Sequence, residues 1–376
     1  MPASPPRSAY IHVPFCVHRC GYCNFALVAD RGDLVEPYLQ ALATELSWLG
    51  EPRPVDTLYF GGGTPTFLSP EQLDKLCRLA TDWHPLRPGY EWTVEANPGD
   101  LDRDRVGVLV DRGVNRLSLG AQSFRDEKLR LLERDHQADD VGRAVELARR
   151  AGLSVAIDLI FAAPGETLDQ WHDDLRQALA LLPEHISTYG LTFERGTTFW
   201  NRQQRGDLTS MTEDEELEMY ELAIDLLSNS GFEHYEISNF ALPGCRSRHN
   251  TAYWSGAGYY AVGPGAASYV DGVRETNHRS TTTYLKRIEA GESPVAESER
   301  LDAQQRAREQ LVFGLRQLAG VDRYEFARRT GFELDKLAGT QIARLVELGM
   351  LAADDSHVRL TRSGLMISDS IWPELL

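Results

Sequence analysis

Two hydrophobic periods alternate along the first half of the chain. Short apolar runs typical of strands recur, and each is followed by a stretch whose apolar residues repeat at the spacing of a helix. Strand–helix units of this length form parallel sheets with right-handed crossovers. The predicted strands are residues 10–13, 55–60, 91–95, 116–120, 154–161 and 185–193, and the predicted helices are residues 34–49, 70–83, 102–112, 139–151 and 169–182.

Six strand–helix repeats fit a closed or partly open barrel better than a sandwich. We therefore predict an α/β fold whose main part is a partial (β/α)6 barrel of TIM-like architecture. In barrels of this kind the chemistry lies at the carboxyl ends of the strands. The residues that follow the predicted strands are accordingly the first candidates for a functional site.

The pattern changes after about residue 209. Residues 214–230 predict an acidic amphipathic helix, and residues 245–265 are rich in aromatic side chains and glycine. After residue 294 the pattern predicts three helices (306–317, 322–329, 334–348) and a strand (358–361), an order that resembles a winged-helix module. We predict a barrel over residues 1–240, a connecting segment over 241–295 and a small C-terminal helical domain over 296–376, with a packing or lid role.

Charge and composition narrow the function classes. The 376-residue chain carries a formal net charge of −17, whereas nucleic-acid binding requires clustered Lys and Arg. We therefore expect no nucleic-acid partner. The first eight residues lack the apolar centre of a signal peptide, and no apolar run approaches the roughly 20 residues of a membrane span. These features predict a cytoplasmic protein.

Three cysteines lie close together just after the first predicted strand. Cys16, Cys20 and Cys23 fall within one short loop, with Tyr22 directly before the last of them. Thiolates are the usual ligands of iron–sulfur clusters, and three of them leave one iron of a four-iron cluster open. The alternatives are a zinc site or three unrelated thiols, although structural zinc sites usually take four protein ligands. His18 could supply one, but we expect it to face solvent.

Polar and glycine residues follow several other predicted strands. Residues 61–66, Gly-Gly-Gly-Thr-Pro-Thr, stop the second strand, and glycine permits a close approach of the backbone to a ligand. Glu95 ends the third strand, Gln122 follows the fourth, and Asp158 lies inside the apolar fifth strand. Because burying a carboxylate is costly, Glu95 and Asp158 should have hydrogen-bonding partners. The alternative is that these residues are structural anchors between strands.

The cysteine loop, together with the glycine run, resembles the radical S-adenosylmethionine (SAM) superfamily. The resemblance implies that Cys16, Cys20 and Cys23 bind a [4Fe–4S] cluster and that SAM chelates its fourth iron. Electron transfer from the cluster could then cleave SAM to a 5′-deoxyadenosyl radical. By position, the residues implied to contact SAM are Tyr10, Tyr22, Gly62, Gly63, Thr64, Glu95, Gln122, Arg134 and Asp158.

Nearly the whole chain resembles the oxygen-independent coproporphyrinogen III oxidases, but two features favour their relatives, the HemW-type haem chaperones. The oxidases carry a further cysteine two residues after the third ligand, where this chain has Phe25. The chain also contains the HNxxYW signature of the chaperones, which implies haem binding by His249, Asn250, Tyr253 and Trp254.

The chaperone resemblance implies haem binding and delivery to an acceptor haem protein. Imidazole is a common haem ligand, and Arg246 and Arg248 could pair with the propionates. Contact with a membrane is expected only through the acceptor, and a homodimer is compatible with the resemblance. The alternatives are SAM-dependent decarboxylation of coproporphyrinogen III, and a radical SAM enzyme with another substrate and a structural histidine motif. The sequence does not decide whether SAM is cleaved.

Overall fold

The strands and helices of the first half follow one another in the predicted order. The computed structural model describes residues 5–376. This half contains β1 (Ser8–Val13), β2 (Phe15–Cys16), β3 (Val28–Ala29), α1 (Val35–Ser47), β4 (Val55–Gly62), α2 (Pro70–Trp83), β5 (Leu86–Ala96), α3 (Arg103–Arg112), β6 (Arg116–Gln122), α4 (Asp126–Leu131), α5 (Ala138–Arg150), β7 (Ser154–Phe161), α6 (Leu168–Ala180) and β8 (His185–Gly190).

The second half extends the same sheet and then forms a separate module. The extension contains α7 (Thr198–Gln204), α8 (Glu213–Asn229), β9 (Glu233–Glu236), β10 (Asn239–Ala241), α9 (Arg248–Trp254), β11 (Tyr259–Val262), β12 (Ala267–Val270), β13 (Val273–Asn277), α10 (Thr281–Glu289) and β14 (Val295–Glu299). The module contains α11 (Ala303–Arg316), β15 (Val321–Asp322), α12 (Arg323–Thr330), α13 (Leu334–Glu347), β16 (Leu351–Ala353), β17 (His357–Leu360), α14 (Arg362–Met366) and α15 (Ser368–Leu375). Among residues 5–376, no helix has both the length and the apolar character needed to cross a membrane.

One twelve-stranded sheet forms the main part of the molecule, in the order β14-β13-β12-β11-β1-β4-β5-β6-β7-β8-β10-β9. The strands from β11 to β8 run parallel, and antiparallel strands continue the sheet on both sides. The sheet encloses a cavity, and in the described part of the chain its edge strands β14 and β9 do not pair with each other. The predicted α/β partial barrel is confirmed.

The hydrophobic pattern misses part of the sheet. A seventh parallel strand, β11, pairs with β1, but its four residues are too few to establish a period. The strand predicted over residues 185–193 ends at Gly190, where its partner β7 also ends at Phe161; the last bond of this ladder is donated by the Leu191 N–H to the Phe161 carbonyl oxygen (2.9 Å). Strands β9 and β10, which the pattern does not predict, pair as an antiparallel hairpin.

The parallel strands direct apolar side chains outward and polar side chains inward. In β6, Leu117 and Leu119 are buried beneath the surrounding helices, whereas Arg116 and Ser118 face the interior of the barrel. Side chains on a strand alternate between the two faces, so one strand can serve both environments. The same alternation runs through β7 and β8. The barrel therefore encloses a polar cavity instead of a packed apolar centre.

The C-terminal module has its own hydrophobic core, whose buried members run from Ala307 to Leu375. Its three predicted helices are present as α11, α12 and α13, beside a small sheet of order β15-β17-β16. Two short helices, α14 and α15, complete it. The boundary proposed at residue 295 falls at the first residue of β14, which still pairs with β13 of the main sheet. The three domain ranges remain a prediction.

Helix α11 and the residues just after it contact both sides of the opening between the sheet edges. On one side, Arg274 of β13 forms an ion pair with Glu309 of α11 (Nη2–Oε1 2.7 Å). On the other side, the backbone N–H of Leu318 donates to the carbonyl oxygen of Tyr235 in β9 (3.1 Å). The module is therefore attached to the barrel at the opening.

A buried ion cluster connects the loops that follow β6 and β7. Lys128 of α4 contacts the carboxylates of Glu166 and Asp174, with Nζ 3.2 Å from Asp174 Oδ2. Asp174 also accepts hydrogen bonds from the Ser123 hydroxyl and from the Phe124 backbone N–H, both at 2.7 Å. All three charged side chains are almost fully buried. This cluster fixes the two loops to α6.

Lys128→Met is expected to lower the free energy of unfolding by about 3–5 kcal/mol, because it leaves two buried carboxylates without their counter-ion. Urea titration of both proteins measures the change. The matched control is Arg150→Met, which breaks the exposed pair Arg150–Glu146 and should change stability by less than about 1 kcal/mol. Equal effects of the two substitutions would contradict the assigned role of the cluster.

Candidate functional site

A cavity of about 850 Å³ occupies the interior of the barrel. All nine residues implied to contact SAM and the three cysteines line it. Because they come from the loops and inner faces of successive strands, the fold brings them together although they span most of the first half of the sequence. Of the haem motif, Asn250 and Tyr253 also line this cavity, whereas His249 and Trp254 do not.

The cysteine loop is held in shape by an arginine. Arg19 donates to the carbonyl oxygens of Cys23 (3.3 Å), Phe25 (3.4 Å) and Leu27 (2.6 Å). The loop also contains a turn in which the Cys23 N–H donates to the Cys20 carbonyl oxygen (3.0 Å). The Arg19 guanidinium therefore fixes the backbone of residues 23–27, the segment that begins at the third cysteine.

The three thiols are free and half-buried, and as thiolates they are ligands for a soft metal centre. Burial raises the pKa of Cys16 to about 12 and also raises the pKa of Cys23. A bound metal favours the thiolate over the thiol, so an iron cluster would offset this cost. Among residues 5–376, no three potential ligands are already gathered around a point where one metal ion could sit. The donor set fits the cluster implied by the resemblance.

The glycine run packs against the cysteine loop. Gly63 and Thr64 donate backbone N–H bonds to the carbonyl oxygens of Val13 (2.8 Å) and Phe15 (2.6 Å). Gly62 has a φ of 105°, and a Cβ there would lie 2.3 Å from the ring of His12. Only glycine fits at that position. The run therefore holds its backbone close to the strand that leads into the thiols.

Glu95 has the partners that its burial requires. Its carboxylate accepts from the Tyr59 hydroxyl (2.8 Å) and from the Gly62 backbone N–H (3.0 Å). Burial is the main reason that the pKa of Glu95 rises to about 7, with a contribution from the nearby charge of Asp158. Asp158 in turn accepts from the Ser118 hydroxyl (3.0 Å), and burial raises its pKa as well. The expectation that both carboxylates are hydrogen-bonded is confirmed.

Arg134 joins the thiol loop to the end of β6. Its guanidinium donates to the carbonyl oxygen of Gly120 (2.9 Å), to Asn97 Oδ1 (3.1 Å) and towards Cys20 Sγ (3.6 Å). At the end of the same strand, Gln122 adopts a φ of 63°, which is uncommon for a residue other than glycine. Such conformations cluster at ligand sites, because the surrounding structure must hold them in place.

Two tyrosines form aromatic walls of the cavity. Tyr10 stacks on Tyr59, with ring centroids 6.0 Å apart, and its hydroxyl lies 3.1 Å from His12 Nδ1. Tyr22 packs edge-on against Phe199 at 6.3 Å. Tyr59 and His12 were not among the residues singled out from the sequence. The signal that could have found them is their place on β4 and β1: each lies between two apolar residues of its strand and therefore points to the opposite face, towards the cavity.

His249 is enclosed by the protein. Its Nδ1 lies 2.9 Å from Thr57 Oγ1, its Nε2 lies 3.3 Å from the Tyr253 hydroxyl, and its ring stacks on Tyr59 at 4.9 Å. Burial lowers the pKa of His249 to about 3, so the ring is neutral at physiological pH. Both ring nitrogens already have partners, so binding iron through His249 requires one of these bonds to be exchanged.

Helix α9, which carries the haem motif, lies at the opposite end of the barrel from the thiols. The backbone N–H groups of Arg248 and His249 both donate to the carboxylate of Glu91, near the start of the parallel part of β5. Thr57, the hydrogen-bond partner of His249, lies on β4 before Gly62. The two residues are separated by roughly 17 Å along the strand. The cavity thus connects two distinct ends of one barrel.

A second cavity of about 410 Å³ lies beside α9, at the opening between the sheet edges. Asn250 and Tyr253 line both cavities, whereas Trp254 lines only this one and lies beneath the guanidinium of Arg316 (4.5 Å to the ring centroid). Arg246 is bound by Glu233 (2.9 Å), and Arg248 donates to the carbonyl oxygen of Gly89. These contacts do not support the expected role of Arg246 and Arg248 with propionates.

Comparison with known proteins agrees with this arrangement. Residues 10–178 match the model of the Radical SAM superfamily, and residues 301–367 match that of the HemN C-terminal domain. The chain is 38% identical to the heme chaperone HemW of Lactococcus lactis, over 99% of this chain and 97% of the relative. It is 37% identical to the heme chaperone HemW of Bacillus subtilis, over 98% and 99%. The chain belongs to the HemW family.

Membership of the HemW family confirms the recognised resemblance, including the radical SAM part and its cofactors, a [4Fe–4S] cluster and SAM. The fold is also that of the coproporphyrinogen III oxidase HemN from Escherichia coli, a radical SAM enzyme. That structure superimposes with a TM-score of 0.87 at 22% identity, over 100% of this chain and 91% of the enzyme. At this identity the likeness concerns the fold alone.

Glu95→Gln is expected to flatten the dependence of stability on pH. Because the folded pKa of Glu95 lies near 7, above its unfolded value, the folded state holds a proton that the unfolded chain loses between about pH 4.5 and 7. The free energy of unfolding therefore falls as the pH rises through this range, by up to roughly 3 kcal/mol from this group. Urea titrations across the range measure the slope.

The slope that remains in Glu95→Gln should come partly from Glu236, whose pKa burial also raises to about 7. Glu36→Gln is the control, because that side chain is exposed and pairs with Lys75 on the surface. An identical slope in the native protein and in Glu95→Gln would contradict the raised pKa.

Proposed function

We propose that this protein binds haem and delivers it to an acceptor haem protein, using a barrel that also carries a [4Fe–4S] cluster and SAM. The observation that carries the proposal is the position of α9. Two residues of its HNxxYW motif, Asn250 and Tyr253, lie on the wall of the same cavity whose other end holds the three thiols. Relatives over nearly the full length of the chain are named heme chaperones. The proposal includes contact with a membrane only through the acceptor, and a homodimer.

In this proposal Cys16, Cys20 and Cys23 hold the cluster. A bound cluster would supply an electron and an iron site for the amino and carboxylate groups of SAM. The chain's own residues shape the surrounding site. Thr64 Oγ1, 3.3 Å from Cys16 Sγ, can donate to its thiolate, and Arg134 places positive charge beside Cys20.

The remaining proposed contacts to SAM divide by chemistry. The backbone of Gly62 and Gly63 borders the space next to the thiols, while Glu95 and Asp158 supply carboxylates inside the barrel. Gln122 adds an amide, and the rings of Tyr10 and Tyr22 supply aromatic surface. A sulfonium ion with a ribose and an adenine can use each of these features, because carboxylates complement positive charge and hydroxyl groups, and rings pack against a base.

Haem is proposed to bind at the α9 end, against Asn250, Tyr253 and Trp254. Aromatic side chains suit a porphyrin face, and both cavities beside α9 reach Tyr253. His249 is the candidate iron ligand, and it reaches the iron by exchanging its bond to the Tyr253 hydroxyl. The buried, neutral ring is in the protonation state that metal binding requires.

Cys16→Ala, Cys20→Ala and Cys23→Ala are each expected to lose most of the iron–sulfur absorbance after anaerobic reconstitution, because each removes one of three thiolate ligands. Iron and sulfide content, measured with the optical spectrum, checks this. Cys245→Ala is the matched control, since Cys245 also is free but lies outside the thiol loop. Equal loss of iron in the control, or full retention in the three variants, would contradict the ligand assignment.

Haem added to the anaerobic, cluster-loaded protein is expected to form a near-stoichiometric complex, detected by its Soret band. His249→Ala should shift this band and weaken binding, because the variant lacks the proposed axial ligand. The rival function is tested in the same preparation with coproporphyrinogen III, SAM and a reductant. We expect no protoporphyrinogen, since Phe25 replaces the additional cysteine and is 63% exposed beside the thiols. Robust turnover without haem binding would overturn the proposal.

A further inference from the structure

Arg116 is a buried charge whose partners are incomplete. The side chain lies at the first position of β6, faces the barrel cavity and is only 6% exposed. Its Nη1 donates to the carbonyl oxygen of Cys245 (3.0 Å), but Nη2 is buried without a hydrogen-bond partner. Among residues 5–376, no Asp or Glu forms an ion pair with it; Asp158 faces the same cavity and feels the charge of Arg116, but its carboxylate is hydrogen-bonded to the Ser118 hydroxyl. Burying a guanidinium is costly unless an acceptor, usually an anion, completes its contacts.

Two further donors with no partner of their own lie near this guanidinium. Thr93 is the direct neighbour of Arg116 in the pairing of β5 with β6, and its hydroxyl is buried without a partner. His185 opens β8 and presents an unpartnered Nδ1. It lies close enough to Arg116 for the guanidinium charge to lower its pKa further, although burial is the larger cause. All three side chains are at least nine-tenths buried and line the same cavity.

The contacts of Tyr235 permit His185 Nδ1 to act as a donor. The Tyr235 hydroxyl accepts from the Ser247 backbone N–H (3.4 Å) and lies 2.8 Å from His185 Nε2. When this hydroxyl donates its proton to Nε2, the neutral imidazole carries its own proton on Nδ1. In that tautomer Arg116, His185 and Thr93 offer three N–H or O–H donors to one region of the cavity.

A set of donors around a positive charge selects an anion, and a guanidinium is well suited to a carboxylate. The region is far from the thiols, because Arg116 and Gln122 stand at opposite ends of β6, roughly 20 Å apart along the strand. It is close to the haem motif, since Cys245, the partner of Arg116, leads into α9, and Ser247 and Asn250 line the same cavity. A ligand seated against α9 would therefore direct a carboxylate towards Arg116.

From this arrangement we infer that Arg116, with His185 and Thr93, binds a propionate carboxylate of haem inside the barrel. The inference rests on the proposed function and gives it an orientation: one edge of the porphyrin lies deep in the barrel, while its face meets α9. It also assigns the propionate to an arginine inside the cavity, in place of the two arginines beside the motif that are bound elsewhere.

The test compares haem with haem dimethyl ester, in which both propionates are esterified, on the full cluster-loaded chain. The native protein should bind haem roughly tenfold to a hundredfold more tightly than the ester, the range expected for charge-assisted hydrogen bonds. Arg116→Gln should lose most of this preference by weakening haem binding while leaving ester binding nearly unchanged. Thr93→Val should reduce the preference by a smaller factor. Arg246→Gln is the matched control and should behave as the native protein.

The remaining outcomes separate the inference from the proposed function. If the native protein binds neither porphyrin, the proposed function fails and the inference fails with it. If the native protein binds haem and its ester equally, only the inference fails, and Arg116 is then hydrated instead of bound to a propionate. This comparison uses the native protein alone, so it does not depend on whether a variant folds. An equal loss for both porphyrins in Arg116→Gln would indicate a structural role and overturn the inference. Weakened SAM binding in Arg116→Gln, with haem binding intact, would assign the carboxylate to SAM and overturn it as well.

Discussion

The buried carboxylate of Glu95 joins the two ends of the barrel. One of its oxygens accepts from the Tyr59 hydroxyl, and Tyr59 stacks on His249 of the haem motif. The other accepts from the N–H of Gly62, the residue before Gly63, which bonds to the strand leading to the thiols. A carboxylate satisfied by two donors fixes both of them, because losing either would leave a buried acceptor unpaired. The thiol region and the region of the HNxxYW motif are therefore built on one shared contact.

The polar inner face of the strands explains why such a contact can exist. In a barrel packed with apolar side chains, carboxylates, an arginine and a histidine could not share the centre. Here the helices cover the apolar outer face of each strand, so stability comes from the outside of the sheet. The inside is then free to hold charged and hydrogen-bonding groups at several depths. The thiols at one end of the barrel and the HNxxYW motif at the other therefore border one polar interior.

Local residue patterns were sufficient for much of the fold and for choosing residues that line the barrel cavity next to the thiols. The alternation of periods predicted the six strand–helix units, and spacing alone grouped Cys16, Cys20 and Cys23. The cost of burying a carboxylate predicted that Glu95 and Asp158 have partners, although it could not name Tyr59 or Ser118. Those partners lie on other strands, and the register of the sheet decides which residues of those strands lie beside the carboxylates.

The haem side could not be placed from the sequence, for a related reason. The motif itself was visible, but nothing local indicates that α9 closes the end of the barrel opposite the thiols or that His249 is enclosed. That position depends on Glu91 and Thr57, which precede His249 by 158 and 192 residues in the sequence. The same holds for Arg116, because its unsatisfied nitrogen is a property of its neighbours in space.

The attachment of the C-terminal module has a consequence for the dimensions of the barrel. In a closed barrel the circumference is fixed by strand pairing all the way round. Here the described strands leave a gap between β14 and β9, and α11 with the residue pair after it spans that gap through Arg274–Glu309 on one side and Leu318–Tyr235 on the other. On the side next to α9, the stretch from Glu309 to Leu318 therefore bridges the two edges, and the module serves as the missing segment of the wall.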